Sequence, residues 1–171
     1  NGLPYLKYAI ESTLAQTYTD FEYLIIDDAS PDQNIKKFVE SYKDPRIKFI
    51  RNDSNLGVSR TFNKALAIIK TPYIVRLDQD DVNLPKRVEE QISYLEKNKN
   101  VSIVCSWEHT INSKGVITRD WKRKIHNYGD FIGPIFLGLC PIWHPSIAFR
   151  KDDIINAGGF DSEFTRAEDF E

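Results

Sequence analysis

Apolar positions recur at helical spacing in four stretches of the first hundred residues, and short apolar runs separate those stretches. Leu3, Leu6, Ile10 and Leu14 fall three or four apart, with Pro4 in a first-turn position. That spacing predicts a helix over 4–16 with one buried face. Ile35, Phe38, Val39 and Tyr42 mark a second helix. Phe62, Ala65, Leu66 and Ile69 mark a third, over 59–70, and Val88, Ile92 and Leu95 a fourth, opened by Leu84-Pro85. The runs at 21–26, 47–51, 73–77 and 101–106 read as short buried strands. Asp44-Pro45, the loop 52–57, Thr71-Pro72 and Asn98 to Asn100 punctuate them.

Strand and helix therefore alternate four times, which predicts an α/β fold: a Rossmann-like, mostly parallel sheet with helices on both faces. Such sheets bind ligands beyond the carboxyl ends of their strands. Two of those ends are acidic. The strand 21–26 runs into Asp27 and Asp28, and the strand 73–77 into Asp78, Asp80 and Asp81. Three acids in four residues repel one another unless a cation or a set of donors offsets the charge. Oxygen ligands on a short loop suit a hard divalent cation, Mg²⁺ or Mn²⁺, bridged to phosphate. For that cluster alone, a solvated acidic turn explains as much. The second acidic strand end is what favours a site.

After residue 106 the rhythm changes. Asn112-Ser113-Lys114-Gly115 predicts a hairpin turn. Residues 128–138 are aromatic and glycine-bearing and yield no element. Residues 141–145 form a constrained loop, 146–150 a strand and 151–157 a short helix stopped by Gly158-Gly159. The tail leads to Glu168-Asp169.

Composition narrows the classes. A net charge of −2 over 171 residues gives no sign of a nucleic-acid partner. Cys105 and Cys140 fit no metal or redox motif, and no apolar run approaches the roughly 18 residues that span a bilayer. There is no Met. The chain reads as one domain, 1–171, with a nucleotide-binding half (1–106) and an acceptor-side half (107–171), truncated at both ends.

Five ordered blocks carry a resemblance: QTYTDFEYLIIDDASPD (16–32), NLGVSRTFNKA (55–65), YIVRLDQDD (73–81), WHPSIAFR (143–150), and GGFD with EDFE (158–171). On these the chain resembles the inverting glycosyltransferases of family 2, which have the GT-A fold. The resemblance implies a nucleotide diphosphate sugar as donor, UDP-linked, and a glycan or lipid-linked acceptor. It implies Asp81 as direct metal ligand, Asp80 at the ribose or supporting the metal, and Asp78 orienting the loop. Asp28 would accept from the uracil N–H, with Asp27 as its structural neighbour, and Ser30 and Asp32 would cap the next helix. Arg60 would reach a phosphate or the acids; an exposed helical arginine explains it equally. Asp169, with Glu168 as runner-up, would be the base that an inverting transfer needs. His144 reads as a structural or acceptor-site residue. Trp121, Trp143 and Tyr128 offer stacking surface for a sugar or simply core. The family's first strand would precede Asn1, so the chain reads as a fragment lacking it. The implied setting is bacterial surface-polysaccharide synthesis, cytoplasmic, with peripheral association at the inner face of a membrane. Two other classes remain: a nucleotidyltransferase, which would show a glycine-rich phosphate loop, and a binding module without transferase activity.

Overall fold

Residues 3–122, 125, 128–137, 139–140 and 142–163 are described by the structure, a computed structural model. Helix α1 (Leu3–Leu14) leads to strand β1 (Tyr23–Asp27), then α2 (Asn34–Glu40), β2 (Ile47–Arg51), α3 (Val58–Ile68), β3 (Tyr73–Val75), α4 (Arg87–Lys97) and β4 (Ile103–Cys105). The predicted alternation is therefore present, each element ending within a few residues of its expected bound. β1 and β2 pair in parallel from Tyr23 opposite Ile47 to Asp27 opposite Arg51.

The second half adds β5 (Glu108–Ile111), β6 (Ile117–Trp121), α5 (Tyr128–Phe136), β7 (Ile147–Arg150) and α6 (Lys151–Asn156). β5 and β6 form the expected hairpin, whose turn is closed by Asn112 accepting from the Lys114 and Val116 N–H groups. α5 occupies the stretch that yielded no element from sequence, because Gly133 and Pro134 mask its helical pattern. β7 inserts antiparallel between β3 and β4, opposite Val75 and Val104 through Ala148. No periodicity announces that insertion, since it depends on a partner some seventy residues away.

Two apolar clusters hold the layers. Leu6 and Ile10 of α1 meet Ile35 and Val39 of α2 over Tyr23, Ile25, Ile47 and Phe49 of the parallel pair. Leu66 of α3 meets Ile147 and Phe149 of β7, with Ile74 and Phe160 against them. Phe149 and Ile10 are essentially fully buried, each stabilising by about 2 kcal/mol. Among the described residues no strand lies between β1 and β3. A cleft of about 1470 Å³ runs between them, lined by Leu24 and Ile26 on one side and Ile74 and Leu77 on the other.

Candidate functional site

The cleft opens where β1 and β3 end, and Asp27, Asp28, Asp78 and Asp80 all line it. Acids fifty residues apart in sequence thus share one mouth, as the parallel alternation predicts.

Asp27 and Asp28 point to different tasks. Asp27 is buried, paired with Arg51 across the β1–β2 ladder, and accepts from the Ser30 N–H at 2.9 Å. Arg51 also donates to the Ser30 carbonyl at 2.6 Å, so this pair fixes the turn after β1, where Ala29 takes φ 57°. Asp28 faces the loop 52–57. It accepts from Asn52 Nδ2 (2.7 Å), the Leu56 N–H (2.9 Å) and the Gly57 N–H (2.9 Å). Partial burial pushes its pKa up, but those donors, with Thr61, outweigh burial and hold it below the usual carboxylate range. A carboxylate has about four acceptor positions, and these four donors meet them. Asp32 accepts from the Asn34 N–H at 2.8 Å at the start of α2. Ser30 takes its bond through its backbone instead.

On the other lip, Arg76 is buried and pairs with Asp78 at 3.1 Å. Its guanidinium also lies 4.6 Å from the Phe62 ring centroid. Asp80 and Asp81 are exposed. Desolvation by the loop, then the charges of Asp78 and Asp80, raise the pKa of Asp81, and Arg87 and Arg76 offset part of that. The ionised cluster is therefore held at a cost that a bound cation would relieve.

The acidic loop is anchored from behind by the polar side chains of Gln16, Asn83 and Arg87. Gln16, at the end of α1, donates to the Leu84 carbonyl (2.8 Å) and accepts from the Val88 N–H (3.0 Å). Asn83 donates to Thr13 Oγ1 at 3.1 Å. Arg87 donates to Asn83 Oδ1 (2.6 Å) and to the carbonyls of Arg76 (2.8 Å) and Pro145 (2.7 Å). Burial lowers the Arg87 pKa to about 10, yet it stays charged at neutral pH. Sequence reading missed Gln16, Asn83 and Arg87. The available signal was their position at helix ends, Gln16 after α1 and Asn83 and Arg87 at the start of α4, where a polar side chain must find backbone partners.

Arg60 is exposed at the start of α3, outside the lining of the cleft, with no acidic partner within 4 Å among the described residues. Asn63, four residues or one turn beyond Ser59, holds both backbone groups of Phe160, donating to its carbonyl at 2.6 Å and accepting from its N–H at 2.9 Å. The segment after α6 is thereby tied to α3. His144 is buried between Phe62 and Phe160, with ring centroids 5.9 Å and 5.6 Å away. Glu168 and Asp169 lie outside the described residues, as does His126.

No three His, Cys, Asp or Glu side chains among the described residues converge as a complete metal-holding group. The oxygen donors of Asp80 and Asp81 are of the type that suits a hard cation, and they would supply part of its shell.

Residues 1–157 match the family model described as glycosyl transferase family 2. The chain is 34% identical over 169 residues to a glycosyltransferase, MJ1057, of Methanocaldococcus jannaschii, covering 98% of this chain and 58% of that protein. It is 27% identical over 166 residues to a UDP-Gal:alpha-D-GlcNAc-diphosphoundecaprenol beta-1,3-galactosyltransferase of Escherichia coli, covering 94% of this chain and 58% of that one. Residues 1–349 of TarS from S. aureus, solved in complex with UDP, superpose with a TM-score of 0.77 at 19% identity, over 99% of this chain and 50% of that one. The chain thus spans little more than half the length of these relatives.

Proposed function

This chain belongs to glycosyl transferase family 2, and on that premise we propose that it moves a sugar from a UDP-linked donor to a glycan or lipid-linked acceptor, with inversion and with a divalent metal. The GT-A fold and the transferase class follow from the family. The observation that carries the finer reading is the shared mouth: Asp28 at the end of β1 and Asp78 and Asp80 at the end of β3 line one cleft. The UDP complex of TarS and the lipid-linked substrate named for the galactosyltransferase support the choice of donor and acceptor.

In this reading Asp28, held rigid by Asn52, Thr61 and the Leu56 and Gly57 N–H groups, shares its acceptor oxygens with the N–H of the base. Asp81 and Asp80 would hold Mn²⁺ or Mg²⁺. When bound, that ion neutralises charge on the departing diphosphate. Arg76 and Arg87 fix the loop so that these carboxylates do not have to be ordered on binding. Asp169, with Glu168 as the alternative, takes the acceptor hydroxyl proton. The acceptor oxygen then forms its bond to the anomeric carbon as the carbon–diphosphate oxygen bond breaks on the opposite face. Arg60, on α3, is outside the lining of the cleft, so a phosphate role for it would need its own side chain to reach across from the helix.

No helix among the described residues is long and apolar enough to cross a membrane. We place the protein's work in the cytoplasm, at the face of a membrane that presents a lipid-linked acceptor.

Thermal denaturation with UDP, GDP, CDP and dTDP, each with and without Mn²⁺, tests the site. UDP at a hundredfold excess over its dissociation constant should add about 2.7 kcal/mol of stability. That gain should require Mn²⁺ and disappear in Asp81→Asn. A metal-independent gain, or one that survives the substitution, removes the metal assignment. A gain with a different nucleotide removes the role given to Asp28.

A further inference from the structure

Asn52 stands where the parallel pair of strands runs out. Asp27 lies opposite Arg51 in the β1–β2 register, and the Asn52 N–H donates to the Asp27 carbonyl at 2.9 Å, so the ladder sets Asn52 beside Asp28. Asn52 is only 3% exposed and takes no part in lining the cleft, whereas Asp28 and Thr61 do line it. Asn52 therefore meets Asp28 from behind.

Every polar atom of its amide is used. Nδ2 donates to Asp28 Oδ1 at 2.7 Å and to Thr61 Oγ1 at 3.3 Å, and Oδ1 accepts from Lys64 Nζ at 2.6 Å. Thr61 and Lys64 are three apart on α3 and so share a face of the helix. These partners leave the amide one orientation. An ammonium offers no acceptor and a carboxylate offers no donor, so Oδ1 must face Lys64 and Nδ2 must face Asp28.

The hydroxyl of Thr61 follows from that. A hydroxyl can donate or accept, and this one accepts from Asn52, which leaves its own hydrogen for Asp28. Both side-chain donors to Asp28 thus depend on one amide, and Lys64 sets that amide. The neighbouring like charge, Asp27, is met by Arg51. A lysine that only covered the surface of α3 would keep its ammonium in water. Here the ammonium is spent on a neutral amide, one side chain removed from the acid that follows β1.

We propose that Lys64 and Asn52 are positioning residues for Asp28, holding its carboxylate in one rotamer towards the cleft to receive an N–H of the nucleotide base. The base role rests on the function proposed above; the positioning of Asp28 does not.

Two measurements on the protein and on Lys64→Met, Lys64→Arg and Asn52→Asp test this. Carboxyl-carbon NMR follows the titration of Asp28 without nucleotide, and calorimetry gives the affinity for UDP in the presence of Mn²⁺. Met has about the reach of Lys without its ammonium, and Asp has the shape of Asn, so the fold should survive both changes, with melting checked alongside. In Lys64→Met and Asn52→Asp the Asp28 titration should move to higher pH, and UDP should bind roughly tenfold more weakly. Lys64→Arg returns a donor to Asn52 and should keep both readings near those of the unaltered protein. A purely structural lysine would lower the melting temperature and leave the Asp28 titration in place. An unmoved titration in Lys64→Met and Asn52→Asp therefore overturns the proposal, as does an unchanged UDP affinity in both, or a Lys64→Arg protein that behaves like Lys64→Met. Unaltered protein that binds no UDP would remove the base role, while the titration, measured without nucleotide, still decides whether the pair positions Asp28.

Discussion

Asp28 and Asp81 bear the same side chain just beyond β1 and β3, yet their pKa values move in opposite directions. Asp28 receives two backbone N–H groups, an amide and the Thr61 hydroxyl, which favour its charge; Asp81 is desolvated and faces other acids, and both disfavour its charge. Asp28→Asn would turn an amide NH₂ towards donors that need an acceptor, and bonds to a charged acceptor are worth about 1.5–3 kcal/mol each. The variant is expected to lose about 2 kcal/mol at pH 7 by urea unfolding. The pH dependence follows from the sign. The folded pKa of Asp28 lies below its unfolded value, so its contribution is complete above the ordinary carboxylate range and fades as pH falls through the folded value. The gap between wild type and variant should therefore narrow on acidification. A gap that stays constant down to acid pH would mean that Asp28 is held by shape and not by charge. Residues of this kind were visible in sequence as acids at a strand end. Which lone pairs were already spent was not, because the donors come from residues 52, 56 and 57.

Among the elements, the segment after α6 depends on one glycine. Gly159 has φ +77°, and a Cβ there would stand 2.8 Å from Asn63 Oδ1. That oxygen is not free to swing away, since it accepts from the Phe160 N–H while the same amide donates to the Phe160 carbonyl. Gly159→Ala should break this double bond and add left-handed strain, costing about 1–3 kcal/mol. Hydrogen exchange at the Phe160 amide should rise by more than tenfold, with the β1 amides unaffected. Exchange unchanged at Phe160 would show that the apolar contact of Phe160 with Phe62, at 5.1 Å between centroids, suffices to hold the segment. The Gly158-Gly159 pair was legible as a helix stop. Its docking onto α3 was not, because nothing in either segment's periodicity encodes a partner ninety-odd residues away.

For the molecule as a whole, the open feature is the cleft between β1 and β3. Leu3 and Leu6 of α1 line it together with the acids at its mouth. UDP seated there is expected to protect amides of β1 and β3 from hydrogen exchange, compared with and without the nucleotide. Equal exchange in both would remove the cleft as the place of the donor.

What the sequence determined by itself was local and periodic: the alternation of helix and strand, the hairpin turn, the acidic strand ends and, through five ordered blocks, the family. These are readable because burial on one face imposes a period of 3.6 or 2 and because turns demand particular residues. The tertiary structure alone decided which acids are spent on the protein's own donors, how β7 enters the sheet, that Gln16, Asn83 and Arg87 brace the acidic loop, and that three tryptophans spaced over 37 positions share one cleft. Each of those depends on contacts between distant segments, where the free energy is set by which groups meet on folding and not by the order in which the chain presents them.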